Sequence, residues 1–229
     1  MSKIGNFFWR RTLKALTSEE KKISRNFNKL FYEYWKKGNG TLDTSWLGFR
    51  IVKSPNDLWV YQEIISELRP SLIIETGTRF GGSALFFASI FDLLGEGRVI
   101  SIDIDFDPSW PRHARIEYLT GMSCSEEVIE SIKRRISLND KVMVILDSDH
   151  SYENVLEELK IFSNFVTVGQ YLVCEDTNLN GNPVRPEFGP GPKEALDEFM
   201  GATDRFFVDC QRERFLVSVS PGGYIKRVK

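Results

Sequence analysis

The sequence predicts an α/β protein whose largely parallel sheet carries helices on both faces and closes on a hairpin-like edge. Three observations carry this. Five short apolar runs bounded by turn residues alternate with segments whose apolar residues recur at helical spacing. The first run, residues 72–75, opens into Gly77, Gly81 and Gly82 and then into an apolar helix. Four runs end in acids, Glu75, Asp103, Asp147 and the pair Glu175 and Asp176, on the rim where such sheets bind ligands.

Residues 4–16 mix Ile4, Phe7, Phe8, Trp9, Leu13 and Leu16 with Arg10, Arg11 and Lys14. This is the pattern of a basic amphipathic helix, packed on its own domain, on a partner subunit or on a membrane surface. Residues 27–35 read as a second aromatic-rich helix, stopped at Gly38-Asn39-Gly40. The aromatic density of both segments predicts a homo-oligomer built through this region. Residues 41–55 read as an irregular loop whose Trp46, Leu47 and Phe49 need a cover, over the sheet edge or the ligand. Asn56 or Asp57 can cap the next helix, with a buried stripe of Leu58, Tyr61, Ile65 and Leu68 before Pro70.

After the 72–75 strand and its glycines, Ala84, Leu85, Ala88, Phe91 and Leu94 mark a helix that Gly95 and Gly97 end. Residues 99–103 form a second strand and 115–119 a third, followed by Gly121-Met122-Ser123 and a helix through Val128, Ile132 and Ile136. Residues 141–147 form a fourth strand, and a helix with Val155, Leu156, Leu159 and Phe162 on one face follows. Residues 170–175 form a fifth. The Asn-, Gly- and Pro-rich loop 177–192 has a length usually reserved for function. Residues 193–200 are helical, and 205–208 and 215–219 read as closing strands before Pro221-Gly222-Gly223 turns into a last short one.

The 229 residues suit one α/β domain with an extension. A net charge of −2 argues against a nucleic-acid partner, although residues 1–37 hold 10 basic against 3 acidic side chains and the remainder is acidic. Three scattered cysteines suit a reducing compartment, and two histidines are too few for a Cys/His zinc site. With no apolar signal core and no apolar run of roughly 18 residues, a cytoplasmic protein is expected.

The glycine turn has the makings of a ligand cradle. Glycine permits tight turning and close approach to the backbone, and free N–H groups at the next helix start favour polar or anionic atoms. The same arrangement also serves simply to reverse an α/β unit. No Lys-Ser or Lys-Thr follows, which argues against a phosphate loop, and Gly77-Thr78-Arg79-Phe80-Gly81 is too widely spaced for a dinucleotide fingerprint. Asp103 is placed to accept both hydroxyls of a ribose, capping being its plainer role. Asp147, Asp149, Glu175 and Asp176 repel one another unless protonated or bridged, and a hard cation such as Mg²⁺ answers that; helix capping is the alternative. His150 beside them is either a general base or a capping or packing group. Arg185, Glu187 and Lys193 are candidates for substrate contact.

Several motifs occur in order: Trp46-Leu47-Gly48, the stretch from Asp57 through Trp59 and Tyr61 to Glu63, the stretch from Glu75 through the glycines to Ser83, Leu146-Asp147-Ser148-Asp149-His150 and Glu175-Asp176-Thr177. Together they resemble the cephalosporin hydroxylase family, which despite its name is similar to class I S-adenosylmethionine-dependent methyltransferases and includes rhamnosyl O-methyltransferases. The resemblance begins near Trp46, dividing the chain into an N-terminal helical extension, 1–45, and a methyltransferase domain, 46–229. It implies a Rossmann-like seven-stranded sheet, mostly parallel with an antiparallel last strand.

The resemblance further implies S-adenosylmethionine over Glu75, Thr76, Gly77, Thr78, Gly81 and Ser83, with Asp103 on its ribose, Ser123 near its adenine and Asp147 close by. It implies Mg²⁺ held by an acid of the Asp147/Asp149 pair together with Glu175 and Asp176. Asp147 ends its strand, whereas Asp149 precedes Glu175 by 26 positions, a separation resembling that in metal-dependent O-methyltransferases. The choice between them stays open. The implied reaction is methylation of a hydroxyl on a sugar or a small natural-product-like metabolite, with His150 and Asp149 as catalytic groups. Two competing readings are a cofactor-binding partner subunit of a hydroxylase or methoxylation system, without turnover, and a non-haem iron oxygenase. The latter needs His113 and His150 in one site.

Overall fold

A computed structural model describes residues 15–37 and 44–229. The expected helix over 4–16 lies largely outside these residues. Seven strands make one sheet: β1 (Leu72–Thr76), β2 (Arg98–Asp103), β3 (Ile116–Thr120), β4 (Val142–Leu146), β5 (Tyr171–Cys174), β6 (Phe206–Val208) and β7 (Tyr224–Arg227). Their order is β3-β2-β1-β4-β5-β7-β6. All neighbours run parallel except β7, which is antiparallel to both β5 and β6. The chain reverses its direction of travel between β1 and β4, the position where open α/β sheets bind ligands.

Register sets the rim. Thr76 lies opposite Ile102 and Leu146, and Leu146 opposite Cys174. Gly77, Asp103, Asp147 and Glu175 therefore leave their strands at one level.

Alternation along the strands divides the core into two layers. Leu72 and Ile74 face one way, onto α4 (Glu126–Arg135), α5 (Tyr152–Phe162) and α6 (Pro192–Ala202), through Ile132, Leu159 and Phe199. Ile73 faces the other, onto α2 (Pro55–Leu68) and α3 (Gly82–Leu94), through Ile64, Phe87 and Phe91. Among the described residues no helix is long and apolar enough to cross a membrane.

Four expectations are corrected. The second N-terminal helix, α1, spans Ser18–Lys37 rather than starting near Phe27. Thr17 and Glu20 form a reciprocal capping box that starts it earlier. It docks through Ser24 and Asn28, which donate to the carbonyl of Leu216, and Arg25, which donates to that of Gly181. The 41–55 segment is not irregular throughout: it contains a small hairpin, Ser45–Trp46 against Phe49–Arg50, that covers a helix rather than the sheet edge, while residues 50–53 reach the cavity at the carboxyl rim. Trp46 stacks edge-on to Phe86 and donates to Ser89 on α3.

Asp57 is not a cap: it is buried, and takes hydrogen bonds from Ser218 Oγ, Val219 N and Tyr224 Oη. Those bonds explain the fourth correction. Residues 215–219 form no strand, because Leu216 is left-handed at φ 64° and Val219 N is committed to Asp57 instead of a ladder partner.

At the opposite end of the sheet, Asp140 gathers Ser71 Oγ (2.7 Å), Ser137 N (2.8 Å) and both terminal nitrogens of Arg98 (3.0 and 2.8 Å), joining the starts of β1, β2 and β4. The Arg98 hydrogen bonds hold its carboxyl well below the usual carboxylate range. Asp140→Ala is expected to cost roughly 2–3 kcal/mol at neutral pH in urea unfolding. A depressed folded-state pKa stabilises above the unfolded value, so the gap between wild type and variant should persist down to about pH 4 and close below it, as pH falls through the folded pKa. A gap that stays constant to pH 2 would contradict the ion-pair account.

Candidate active site

A cavity of about 760 Å³ opens at the carboxyl rim, within the size range of small-molecule sites. Its wall is made by the glycine turn after β1, by residues 102–108 at and beyond the end of β2, by 147–150 after β4, by Glu175 and Asp176 after β5, and by residues 50–53.

The glycine turn is tied down from below. Gly77 N donates to Ile102 O at 2.8 Å, Thr78 Oγ1 pairs with Ser101 Oγ at 2.7 Å, and Ser101 Oγ donates to Glu75 Oε2 at 2.9 Å. Asp103 accepts Arg79 N at 2.7 Å and Ile104 N at 2.8 Å, bracing the turn from the neighbouring strand. Gly77 is required on two counts. Its φ is +88°, and a Cβ there would lie 1.9 Å from the Asp147 carbonyl oxygen. At Gly82 a Cβ would lie 2.1 Å from Arg50 O, so the start of α3 and the 50–53 segment pack backbone to backbone.

At the acidic end, Asp147, His150 and Asp176 each offer a ligand atom, all within 4.8 Å of one another. His150 Nε2 lies 2.9 Å from Asp176 Oδ2. Burial opposes charge on this imidazole, but Asp176, Asp147 and Glu175 outweigh it and lift its pKa to about 9. Burial also presses on Asp176, yet His150 and Lys53 hold it below the usual value. Glu175 is pushed up to about 7 by burial and the Asp147 charge, against the pull of Lys53.

The structure brings some of the residues singled out in the sequence onto the cavity wall and not others. Gly77, Thr78, Ser83, Asp103, Ser123, Asp147, Asp149, His150, Glu175 and Asp176 all line it. Glu75 and Thr76 are fully buried beneath the turn, and Gly81 lies off the wall. The Asp149 carboxylate accepts from Ser151 N and Oγ at the start of α5, and its oxygens lie outside the Asp147, His150 and Asp176 group. Arg185 and Glu187 pair with each other at 3.0 Å, and Lys193 pairs with Asp197; none of the three lines the cavity. His113 pairs with Asp92, far in the fold from His150, so the two histidines share no site.

Nothing in the sequence marks Lys53 or Tyr61 as a site residue. Lys53 Nζ reaches Asp147 Oδ2 at 2.8 Å and Glu175 Oε1 at 2.7 Å, and Tyr61 Oη donates to the same Glu175 oxygen. A lone lysine in a loop and a tyrosine on a helix stripe carry no local signal. The nearest hint is that several acids on one rim demand a cation.

The family model described as "Rhamnosyl O-methyltransferase/CmcI" matches residues 39–228. A rhamnosyl O-methyltransferase of Mycobacterium leprae is 45% identical over 207 residues, 86% of this chain and 89% of that one. A rhamnosyl O-methyltransferase of Mycobacterium tuberculosis is 39% identical over 204 residues, 86% and 83% respectively. A solved structure of CmcI with Mg and SAM superposes with a TM-score of 0.63 at 24% identity, over 83% of this chain and 80% of that one. That likeness shows a common fold.

Gly77 and Gly48 have nearly the same φ, +88° and +86°, but a Cβ at Gly48 meets nothing within 4 Å. Gly48→Ala is expected to cost about 1–2 kcal/mol of left-handed strain. Gly77→Ala should cost at least about 2 kcal/mol more, from displacement of the Asp147 backbone. Equal losses in urea unfolding would show that the turn yields freely.

Proposed function

The chain belongs to the Rhamnosyl O-methyltransferase/CmcI family, and on that footing we propose that it is a Mg²⁺-dependent O-methyltransferase transferring a methyl group from S-adenosylmethionine to a sugar hydroxyl. One observation carries the reading: a braced glycine turn, Asp103 and the Asp147, His150 and Asp176 group all line a single cavity. The rhamnosyl O-methyltransferase relatives support a deoxysugar acceptor.

The residues present fit both groups. Gly77, Thr78 and the first turn of α3 present backbone to the cavity, where the amino-acid end of the cofactor would lie. The free lone pairs of Asp103 would take the ribose hydroxyls, and Ser123 borders the position of the adenine. For the metal, Glu75, Asp147, Glu175 and Asp176 pair with Lys53 and His150, with Arg79 acting on Asp176 from farther off, and four acids against three cations leave negative charge that favours a divalent cation. Asp147 and Asp176, each about a fifth exposed (19% and 23%), would hold it from the cavity side, with Glu175 behind them.

When bound, the ion lowers the pKa of an acceptor hydroxyl and the sulfonium supplies the methyl carbon. The chain's own work is positioning. The 50–53 segment and the glycine turn exclude water, and the rim aligns acceptor oxygen and methyl carbon so that the C–O bond forms as the C–S bond breaks. His150, paired with Asp176, is the group to which the acceptor proton would pass once the metal takes up the Asp176 charge, and Asp149 holds the start of α5 so that His150 points into the cavity. The chain is further proposed to act as a homo-oligomer through α1, where Ile23, Phe27, Leu30 and Tyr34 make an exposed stripe at coiled-coil spacing. Light scattering showing only a monomer at micromolar concentration would count against it.

Two measurements test the catalytic reading. Asp103→Ala should weaken S-adenosylmethionine binding by about 10- to 100-fold in calorimetry, the loss of charge-assisted hydrogen bonds worth roughly 1.5–3 kcal/mol; unchanged affinity in a folded variant removes Asp103 from the site. Chelation should abolish formation of adenosylhomocysteine with a rhamnoside acceptor while leaving cofactor binding within a few-fold. Turnover that survives chelation would defeat the metal assignment.

A further inference from the structure

Among the acids that this reading assigns to the metal sits a cation that the chain supplies itself. Lys53 is 2% exposed, and its Nζ lies 2.7 Å from Glu175 Oε1, 2.8 Å from Asp147 Oδ2 and 3.8 Å from Glu75 Oε1. These acids come from the ends of β5, β4 and β1, so one ammonium draws together three strand ends. Its own position is fixed from outside the sheet. Ile51 N bonds Thr44 O, Thr44 Oγ1 bonds Ile51 O, and Leu58 N bonds Ser54 O at the start of α2.

An ammonium so placed occupies one oxygen each of Asp147 and Glu175. Tyr61 takes the same Glu175 oxygen. Asp176, the remaining oxygens of Asp147 and Glu175 and the His150 imidazole are what the rim offers to the cavity. Three carboxylates, two of them with one oxygen already engaged, are a thin first shell for Mg²⁺, which then depends on waters and substrate oxygens to complete six-fold coordination.

We propose that Lys53 is a positioning residue that competes internally with the metal, ordering the metal-free rim and keeping its affinity for divalent cations low until an acceptor supplies further oxygen ligands. The inference rests on the metal reading above. It has a thermodynamic signature distinct from simple structural support. Removing the ammonium leaves the buried Glu75 and Glu175 and the partly buried Asp147 short of a counter-charge, which destabilises the metal-free protein. The same removal frees Asp147 Oδ2 and leaves Glu175 Oε1 to Tyr61 alone, so metal binding tightens and returns more stability by linkage.

The test compares Lys53→Met with wild type, full chain, without cofactor or acceptor, titrating Mg²⁺ alone by calorimetry and following thermal unfolding. The variant is expected to have a lower Tm without metal, a Kd for Mg²⁺ at least about tenfold lower than wild type, and a larger rise in Tm at saturating Mg²⁺. A variant that folds only when Mg²⁺ is added supports the proposal in its strongest form. An equal or weaker Mg²⁺ affinity in the folded variant overturns it while leaving the metal reading intact. So does a variant that stays unfolded at every Mg²⁺ concentration, because the ammonium is then purely structural. Failure of both proteins to bind Mg²⁺ brings down the metal reading and this inference together.

Discussion

The ammonium of Lys53 is the contact on which the carboxyl rim depends. Parallel strands in register deliver Glu75, Asp147 and Glu175 to one level, and like charges at that spacing in a water-poor setting resist being ionised together. Burial pushes both Glu75 and Glu175 upward, and in each case Lys53 pulls the other way. A sheet cannot solve this with its own strands, because their ends are where the acids are. The cation has to come from a segment that crosses over the rim, and that segment becomes a cavity wall as a result.

A second polar network backs the first, on the sheet face covered by α2. Tyr61 on this helix donates to Glu175, while Asp57, one turn earlier, takes two hydrogen bonds from the segment leading into β7 and a third from Tyr224 at its start. Burial lifts the Asp57 carboxyl to about 6, and those three donors only partly offset it. Helix α2 thus joins the carboxyl rim to the reversed strand β7, whose Tyr224 belongs to both the apolar layer and the Asp57 cluster. Satisfied buried polar groups of this kind specify one arrangement more than they add net stability.

The loop after β5 extends the site outward. Asp176 at φ 54°, Asn180 at 51° and Arg185 at 47° are all left-handed, an uncommon density for non-glycine residues and one that surrounding contacts must enforce. Thr177 donates to Pro221 O, Asn178 N to Val219 O and Asn180 to Glu194 on α6, and α1 clamps the loop through Arg25. The first consequence of this bracing is the placement of Asp176 against His150.

Period and punctuation in the sequence were enough for the alternation of elements, the position of the glycine turn and the delivery of acids to one rim. These are local properties: apolar spacing selects strand or helix, glycine marks the turn, and a parallel sheet puts every strand end on one side. The five parallel strands, the order of the helices and the reversed last strand all follow from such signals and from the resemblance they support. The expected strand over 215–219 failed because Asp57, some 160 positions away, captures Val219 N. Lys53 and Tyr61 stayed hidden for the same reason. A lysine becomes a resident counter-ion only when three acids from distant strands converge on it, and no spacing within residues 50–61 records that convergence. Which oxygens face the cavity and which are spent on Lys53 is decided by tertiary contact alone, because charge compensation depends on distance in space and on burial, neither of which a linear pattern carries.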